Sequence, residues 1–79
     1  MENRIIEILG AINEEIPAFD GENLYDAGLL DSFLVVDLVG DLEDEFNIDI
    51  NAKYVVEENF KSKEAIIALV KKIMDAQAV

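Results

Sequence analysis

The chain has 79 residues, 18 acidic side chains against 6 basic ones, a net charge of −12, and neither cysteine nor histidine. This excludes disulfides and thiolate metal sites, removes the side chain that most often moves protons near neutral pH, and leaves a surface that repels nucleic-acid phosphates and anionic lipid headgroups. Because 52% of the residues are hydrophobic and fall in periodic blocks, the charge belongs to a folded module suited to partners with basic patches, and not to a disordered tail. The length bounds one domain, residues 1–79, near the lower limit for a self-sufficient core. Every apolar run is short and interrupted by charge, so the expectation is a cytoplasmic monomer without a signal peptide or stable membrane insertion.

The first predicted element is a helix over Asn3 to Ile16, where Ile5, Ile8, Leu9, Ile12 and Ile16 repeat at three- and four-residue intervals. Pro17 ends it. Ala18 to Leu30 is a long connection with turn signals at Asp20-Gly21 and Ala27-Gly28. Phe19, Leu24 and Leu29 are expected to pin it across the helix ends, with a short helical turn around Glu22 to Tyr25.

A second helix is predicted from Ser32 to Phe46, burying Val35, Leu38, Val39, Leu42 and Phe46. Phe33 and Val36 fall off that stripe, beside Asp37, Gly40 and Asp44. An apolar pair exposed among acids reads as a contact surface, and the alternative is that Phe33 folds back under the preceding loop. Asn47 to Asn51 reads as an extended loop tucking Ile48, Ile50 or both into the core. A short third helix over Tyr54 to Asn59 and a buried Phe60 follow. The last helix, about Lys63 to Ala76, is capped by Ser62, with Lys71 and Lys72 placed to complement its dipole. The fold class is therefore all-α: three longer helices, one short third helix, and a long loop between the first two.

Little catalytic chemistry survives inspection. A nucleophilic Ser32 would need a neighbouring base, and neither His nor Lys lies near it in sequence. Asp41, Glu43, Glu45, Asn47 and Asp49 alternate as in an EF-hand, but Phe46 and Ala52 occupy the positions that need glycine and a bidentate acid, so no dedicated metal site is expected. What stands out is Asp31-Ser32 at a helix entrance. The pair reads either as a helix cap or as a site, since a helix N-terminus is also a natural place for a phosphate ester.

Gly28-Leu29-Leu30-Asp31-Ser32-Phe33, followed by Val36-Asp37-Leu38 and Leu42-Glu43-Asp44-Glu45-Phe46, closely resembles the acyl carrier protein family. That family shows D-S-L here, then an acidic helix ending in E-x-x-F and a short I/V-x-I/V segment, matched by Ile48-Asp49-Ile50. The resemblance implies a four-helix carrier that is not itself an enzyme. Ser32 would receive 4′-phosphopantetheine from coenzyme A through a phosphopantetheinyl transferase, with Asp31 helping to position the transferase and its magnesium. Partner enzymes that load and transfer acyl or aminoacyl groups would read Phe33, Val36, Asp37, Gly40, Asp41 and Asp44, with Glu43 close by.

The implied role is to hold acyl intermediates as thioesters for fatty acid or related biosynthesis. Phe33 in place of the usual leucine, Leu34 where an acid is frequent, Gly40, Asn51 in place of proline, and a longer stretch up to Phe60 are departures. Of these, D-S-F and the longer stretch look more like a D-alanyl carrier protein of cell-wall teichoic acid D-alanylation, or a stand-alone carrier of polyketide or nonribosomal peptide synthesis. A reading from another class is a cargo-free acidic adaptor in which Ser32 is only a cap.

Overall fold

The computed structural model describes residues 1–77; the last two residues of the expected domain lie outside the described residues. Helix α1 spans Glu2–Ile12 and buries Ile5, Ile8 and Leu9. It stops four residues short of the expected end, and Asn13 is the reason. Its backbone is extended (φ −155°, ψ 117°) while its N–H still donates to the Leu9 carbonyl at 2.9 Å. Its side-chain Oδ1 accepts from the Glu15 N–H at 2.9 Å, a local bond that competes with helix continuation. Ile16 is fully buried all the same, reaching the core from the following turn. Pro17 then folds back over α1 at Gly10, where an added β-carbon would lie 3.2 Å from the proline Cγ.

Helix α2 spans Ser32–Phe46, as the sequence predicts, with Val35, Leu38 and Leu42 buried and Val39 and Phe46 half-buried. It ends at Asn47, which adopts the left-handed conformation (φ 53°, ψ 50°) that asparagine tolerates better than most residues. Both Ile48 and Ile50 enter the core from the extended segment that follows. The segment is held from two sides. Glu43 Oε2 accepts from the Ile50 N–H at 2.9 Å, and Gln77 exchanges hydrogen bonds with the Asp49 N–H and carbonyl at 3.1 and 2.9 Å.

The third helix differs from expectation in extent. A 3-10 turn over Ala52–Tyr54, with Asn51 Oδ1 accepting from the Lys53 N–H, precedes a four-residue α3, Glu57–Phe60. Val55 (φ −87°, ψ 72°) and the extended Val56 (φ −128°, ψ 154°) separate the two, so Tyr54 to Asn59 is not one helix. Phe60 closes α3 and is fully buried.

Helix α4 spans Lys63–Gln77, with Ser62 Oγ accepting from the Ala65 N–H at 3.1 Å and Ile66, Leu69, Val70 and Ile73 buried. Lys71 and Lys72 stop short of its last turn, which carries no basic residue. Lys71 instead pairs with Glu2 at 3.1 Å, and the Lys72 ammonium lies 5.4 Å from the Tyr54 ring centroid.

The result is the expected all-α arrangement of three longer helices and a short third one. Helix α1 packs on α2 and α4, and α3 on α4. Arg4 spans α1 and α2, its guanidinium 2.7 Å from Glu7 and 2.8 Å from Glu45. Among the described residues no helix is long and apolar enough to cross a membrane.

Candidate functional site

The loop that delivers Ser32 is built, not slack. Asn23 Oδ1 accepts from the N–H groups of Tyr25 and Asp26 at 2.9 and 3.2 Å and starts a turn over Leu24 to Gly28. That is two residues later than the expected turn at Glu22 to Tyr25. The signal was present in N-L-Y-D-A-G, an asparagine opening a turn that a glycine closes. Gly28 has φ +77°, a left-handed value that a residue with a β-carbon adopts only with strain. The Leu24 carbonyl then accepts from both Leu29 and Leu30, at 2.9 and 3.3 Å. Leu24 and Leu30 are buried, and Phe19 and Leu29 half-buried, so the loop is pinned as expected. Burial and the nearby Glu57 carboxylate push the Tyr25 phenol above its ordinary pKa.

Three links tie this loop to the junction of α3 and α4. The Leu24 N–H donates to the Lys61 carbonyl at 2.7 Å, Lys63 Nζ donates to the Pro17 carbonyl at 2.7 Å, and Asn23 Nδ2 donates to Glu57 at 3.3 Å. Position and direction of the α2 entrance are thereby set from across the molecule.

At the entrance, the cap is Asp31 and not Ser32. Asp31 is extended (φ −149°, ψ −179°), and its Oδ1 accepts from the Leu34 N–H at 2.9 Å, while its carbonyl takes the first helical bond from Val35 at 2.9 Å. Ser32 is the first helical residue and is exposed. Its hydroxyl makes no hydrogen bond to the described residues, and the backbone N–H groups of Ser32 and Phe33 point from the positive end of the helix without partners there. A family model described as the phosphopantetheine attachment site matches residues 2–70.

The chain belongs to that family.

Phosphopantetheine-binding carriers hold 4′-phosphopantetheine covalently, and the entrance of α2 fits such a group. A phosphate ester needs a free hydroxyl, room around it and donors for its oxygens, and an exposed serine with two unpartnered amides at a helix N-terminus offers all three. The chain is also 35% identical over 63 residues to the D-alanyl carrier protein of Streptococcus suis (strain 05ZYH33), a match covering 80% of each chain. No solved structure matches significantly.

Downstream of Ser32, the outer face of α2 carries Phe33, Val36, Asp37, Gly40, Asp41 and Asp44 within about 140° of helix circumference at 3.6 residues per turn. Phe33 is 83% exposed and Val36 68%, so Phe33 does not fold back under the loop. Around Gly40 there is open space, with no atom beyond its chain neighbours and the adjoining helix backbone within 4 Å of where a β-carbon would stand. Asp41 and Asp44 also line the groove between α1 and α2, beside Arg4 and Glu45. Glu43 does not join this face, being half-buried with its carboxylate on the Ile50 N–H. That role is invisible to helical periodicity, because the partner lies beyond the end of the helix.

Proposed function

We propose that Ser32 is the attachment point of 4′-phosphopantetheine, and that this chain is a non-catalytic carrier with an aminoacyl cargo of the D-alanyl kind. The observation that carries the attachment point is the division of labour at the α2 entrance, where Asp31 caps the helix and the Ser32 hydroxyl is left exposed and unbonded. Ser32 Oγ would form a phosphodiester with the phosphate next to the pantetheine of coenzyme A. The bond from that phosphate to 3′,5′-adenosine bisphosphate breaks, and the hydroxyl proton passes to a base on the transferase, since this chain has no histidine. The attached group would supply a terminal thiol, which takes an acyl group from an activated donor on a loading enzyme, the donor's leaving group departing with the thiol proton, and holds it as a thioester.

The residues of the chain bind and orient. The Ser32 and Phe33 amides would hold the phosphate, and Asp31, with one carboxylate oxygen on Leu34, would offer the other to the magnesium of a phosphopantetheinyl transferase. Asp37, Asp41 and Asp44 steer basic enzyme surfaces, and Phe33 and Val36 give apolar contact after docking. Gly40 lets a partner approach the helix backbone. The D-alanyl reading rests on the similarity to the streptococcal carrier and is preferred to fatty acid biosynthesis for that reason. The carrier is proposed to act as a cytoplasmic monomer.

Intact-mass measurement of the protein incubated with a phosphopantetheinyl transferase and coenzyme A tests the attachment. One phosphopantetheine should be gained by the wild type and none by Ser32→Ala. An unmodified wild type would return the chain to the adaptor reading, and a modified Ser32→Ala would overturn Ser32 as the attachment point.

A further inference from the structure

Beside the entrance of α2 lies an open groove of about 660 Å³ lined by Glu14, Glu15, Ala18, Phe19, Ala27 and Leu29. Its walls are two fixed turns. The Asn13–Phe19 wall is held by the bonds Asn13 Oδ1 to Glu15 N–H, Asn13 carbonyl to Ile16 N–H and Ile16 carbonyl to Phe19 N–H, and is anchored by the buried Ile16 and by Lys63 on the Pro17 carbonyl. The other wall is the Asn23–Leu29 turn, anchored by the buried Leu24. The groove therefore exists before any ligand arrives.

Its chemistry is two-sided. Ala18, Phe19, Ala27 and Leu29 are apolar, and Glu14 and Glu15 add exposed carboxylates to the same lining. The ion pairs of the described residues use Arg4 and Lys71 with other acids, and none uses Glu14 or Glu15. The groove is also close to the modification point. Leu29 is three residues from Ser32, a span of at most ~10 Å and shorter than an extended pantetheine arm.

We infer that this groove is the resting site of a cationic aminoacyl cargo carried on Ser32, with the apolar side chains against its hydrocarbon part and Glu14 and Glu15 facing its ammonium group. The inference rests on the carrier reading above and adds a criterion for cargo. A neutral acyl group of the same size would meet the same apolar surface but leave both carboxylates without a counter-charge. Because the carboxylates are exposed, the discrimination is modest. It serves to hold the loaded cargo against the carrier between partners, not to lock it.

The test uses the protein loaded by transferase with two hydrolysis-resistant pantetheine amides, alanyl and propionyl, which differ only in the ammonium group. Intact mass first establishes that Ser32 is loaded. If it is not, the carrier reading falls and this inference falls with it. On the loaded protein, the alanyl form should shift the backbone NMR signals of Glu14, Glu15, Phe19, Ala27 and Leu29, and the propionyl form should shift them less. The amine should hold its proton roughly two- to five-fold more tightly than in free alanyl-pantetheine, the range expected for an exposed ion pair.

Glu14→Gln with Glu15→Gln should remove most of that gain. Asp49→Asn with Asp75→Asn, an equal loss of charge at the far end of α2, should leave it in place. Loaded protein in which the groove signals do not move, in which alanyl and propionyl shift them equally, or in which both double variants act alike would overturn the inference while leaving the carrier reading standing.

Discussion

Replacing Asp31 by alanine, by asparagine, and Ser32 by alanine should separate the stability of the α2 entrance from its chemistry. The Asp31 carboxylate holds the Leu34 N–H at 2.9 Å, and Ser32 Oγ holds nothing among the described residues. Losing a cap of this kind costs about 1 kcal/mol. For a domain of this size that is a fall of about 4–8 °C in Tm. Asp31→Ala should show that fall in thermal denaturation followed by circular dichroism. Asp31→Asn should melt close to the wild type, because asparagine caps about as well as aspartate. Ser32→Ala should also stay close, within the ±0.5 kcal/mol or so of an unremarkable surface change. Modification by the transferase should divide the same variants differently: absent in Ser32→Ala, and slowed in Asp31→Asn, where the cap survives but the carboxylate does not. A melting point that fell in Ser32→Ala as far as in Asp31→Ala would show that the hydroxyl caps the helix and is not free for modification.

Leu42 is fully buried in the centre of α2, so Leu42→Ala should cost about 2–5 kcal/mol in urea denaturation, and an unchanged midpoint would misplace the core. Asp37→Lys and Asp44→Lys should slow the transferase with a loss that shrinks at high salt, Val36→Ala should weaken it with little salt dependence, and Asp75→Lys on α4 should matter far less; equal effects of all three charge reversals would reduce the acidic face to bulk charge. Glu45 is held below its ordinary pKa of 4.5, chiefly by its hydrogen bond to Arg4. A depressed carboxylate contributes stability above its unfolded pKa and loses it as pH falls through the folded one, so Arg4→Ala should flatten the decline of Tm below about pH 4.5, and an unchanged profile would count against the pair. Added salt should raise Tm without requiring a particular ion, since screening relieves repulsion on a −12 chain.

Helix α2 was legible to the residue because its signals are local. Asp31 and Ser32 open it, the apolar stripe runs unbroken, and Asn47 can take the left-handed turn that closes it. The end of α1 was not, because Ile16 keeps helical spacing with Ile5, Ile8, Leu9 and Ile12 and is buried, yet arrives through a turn that the Asn13 side chain nucleates. Periodicity records which residues are buried, not the route by which they get there. The same limit split the third helix at Val55, where the backbone leaves the helical region. At the site, the exposure of Val36 followed from the pattern, whereas for Phe33 the pattern left open a return under the preceding loop, which its 83% exposure excludes. Which of Asp31 and Ser32 caps α2 did not follow from the pattern, since both residue types cap equally well and only the geometry at Leu34 decides between them. The ties from the loop to Lys61, Lys63 and Glu57 join residues 34 to 46 positions apart and leave no mark in local sequence.

The tie between Leu24 and Lys61 has a consequence for how this chain can diverge. Leu24 and Lys61 meet through main-chain atoms alone, N–H to carbonyl at 2.7 Å, and Lys63 reaches a main-chain carbonyl at Pro17. A main-chain link does not depend on which side chain Lys61 carries, and at position 24 only proline would remove the donor itself. One of the three ties that set the address of Ser32 in space is thus written in atoms that every amino acid shares. Exposed side chains around it can be exchanged for those a different enzyme recognises while the serine stays where it is. A carrier built this way can change clients without having to relearn how to present its hydroxyl.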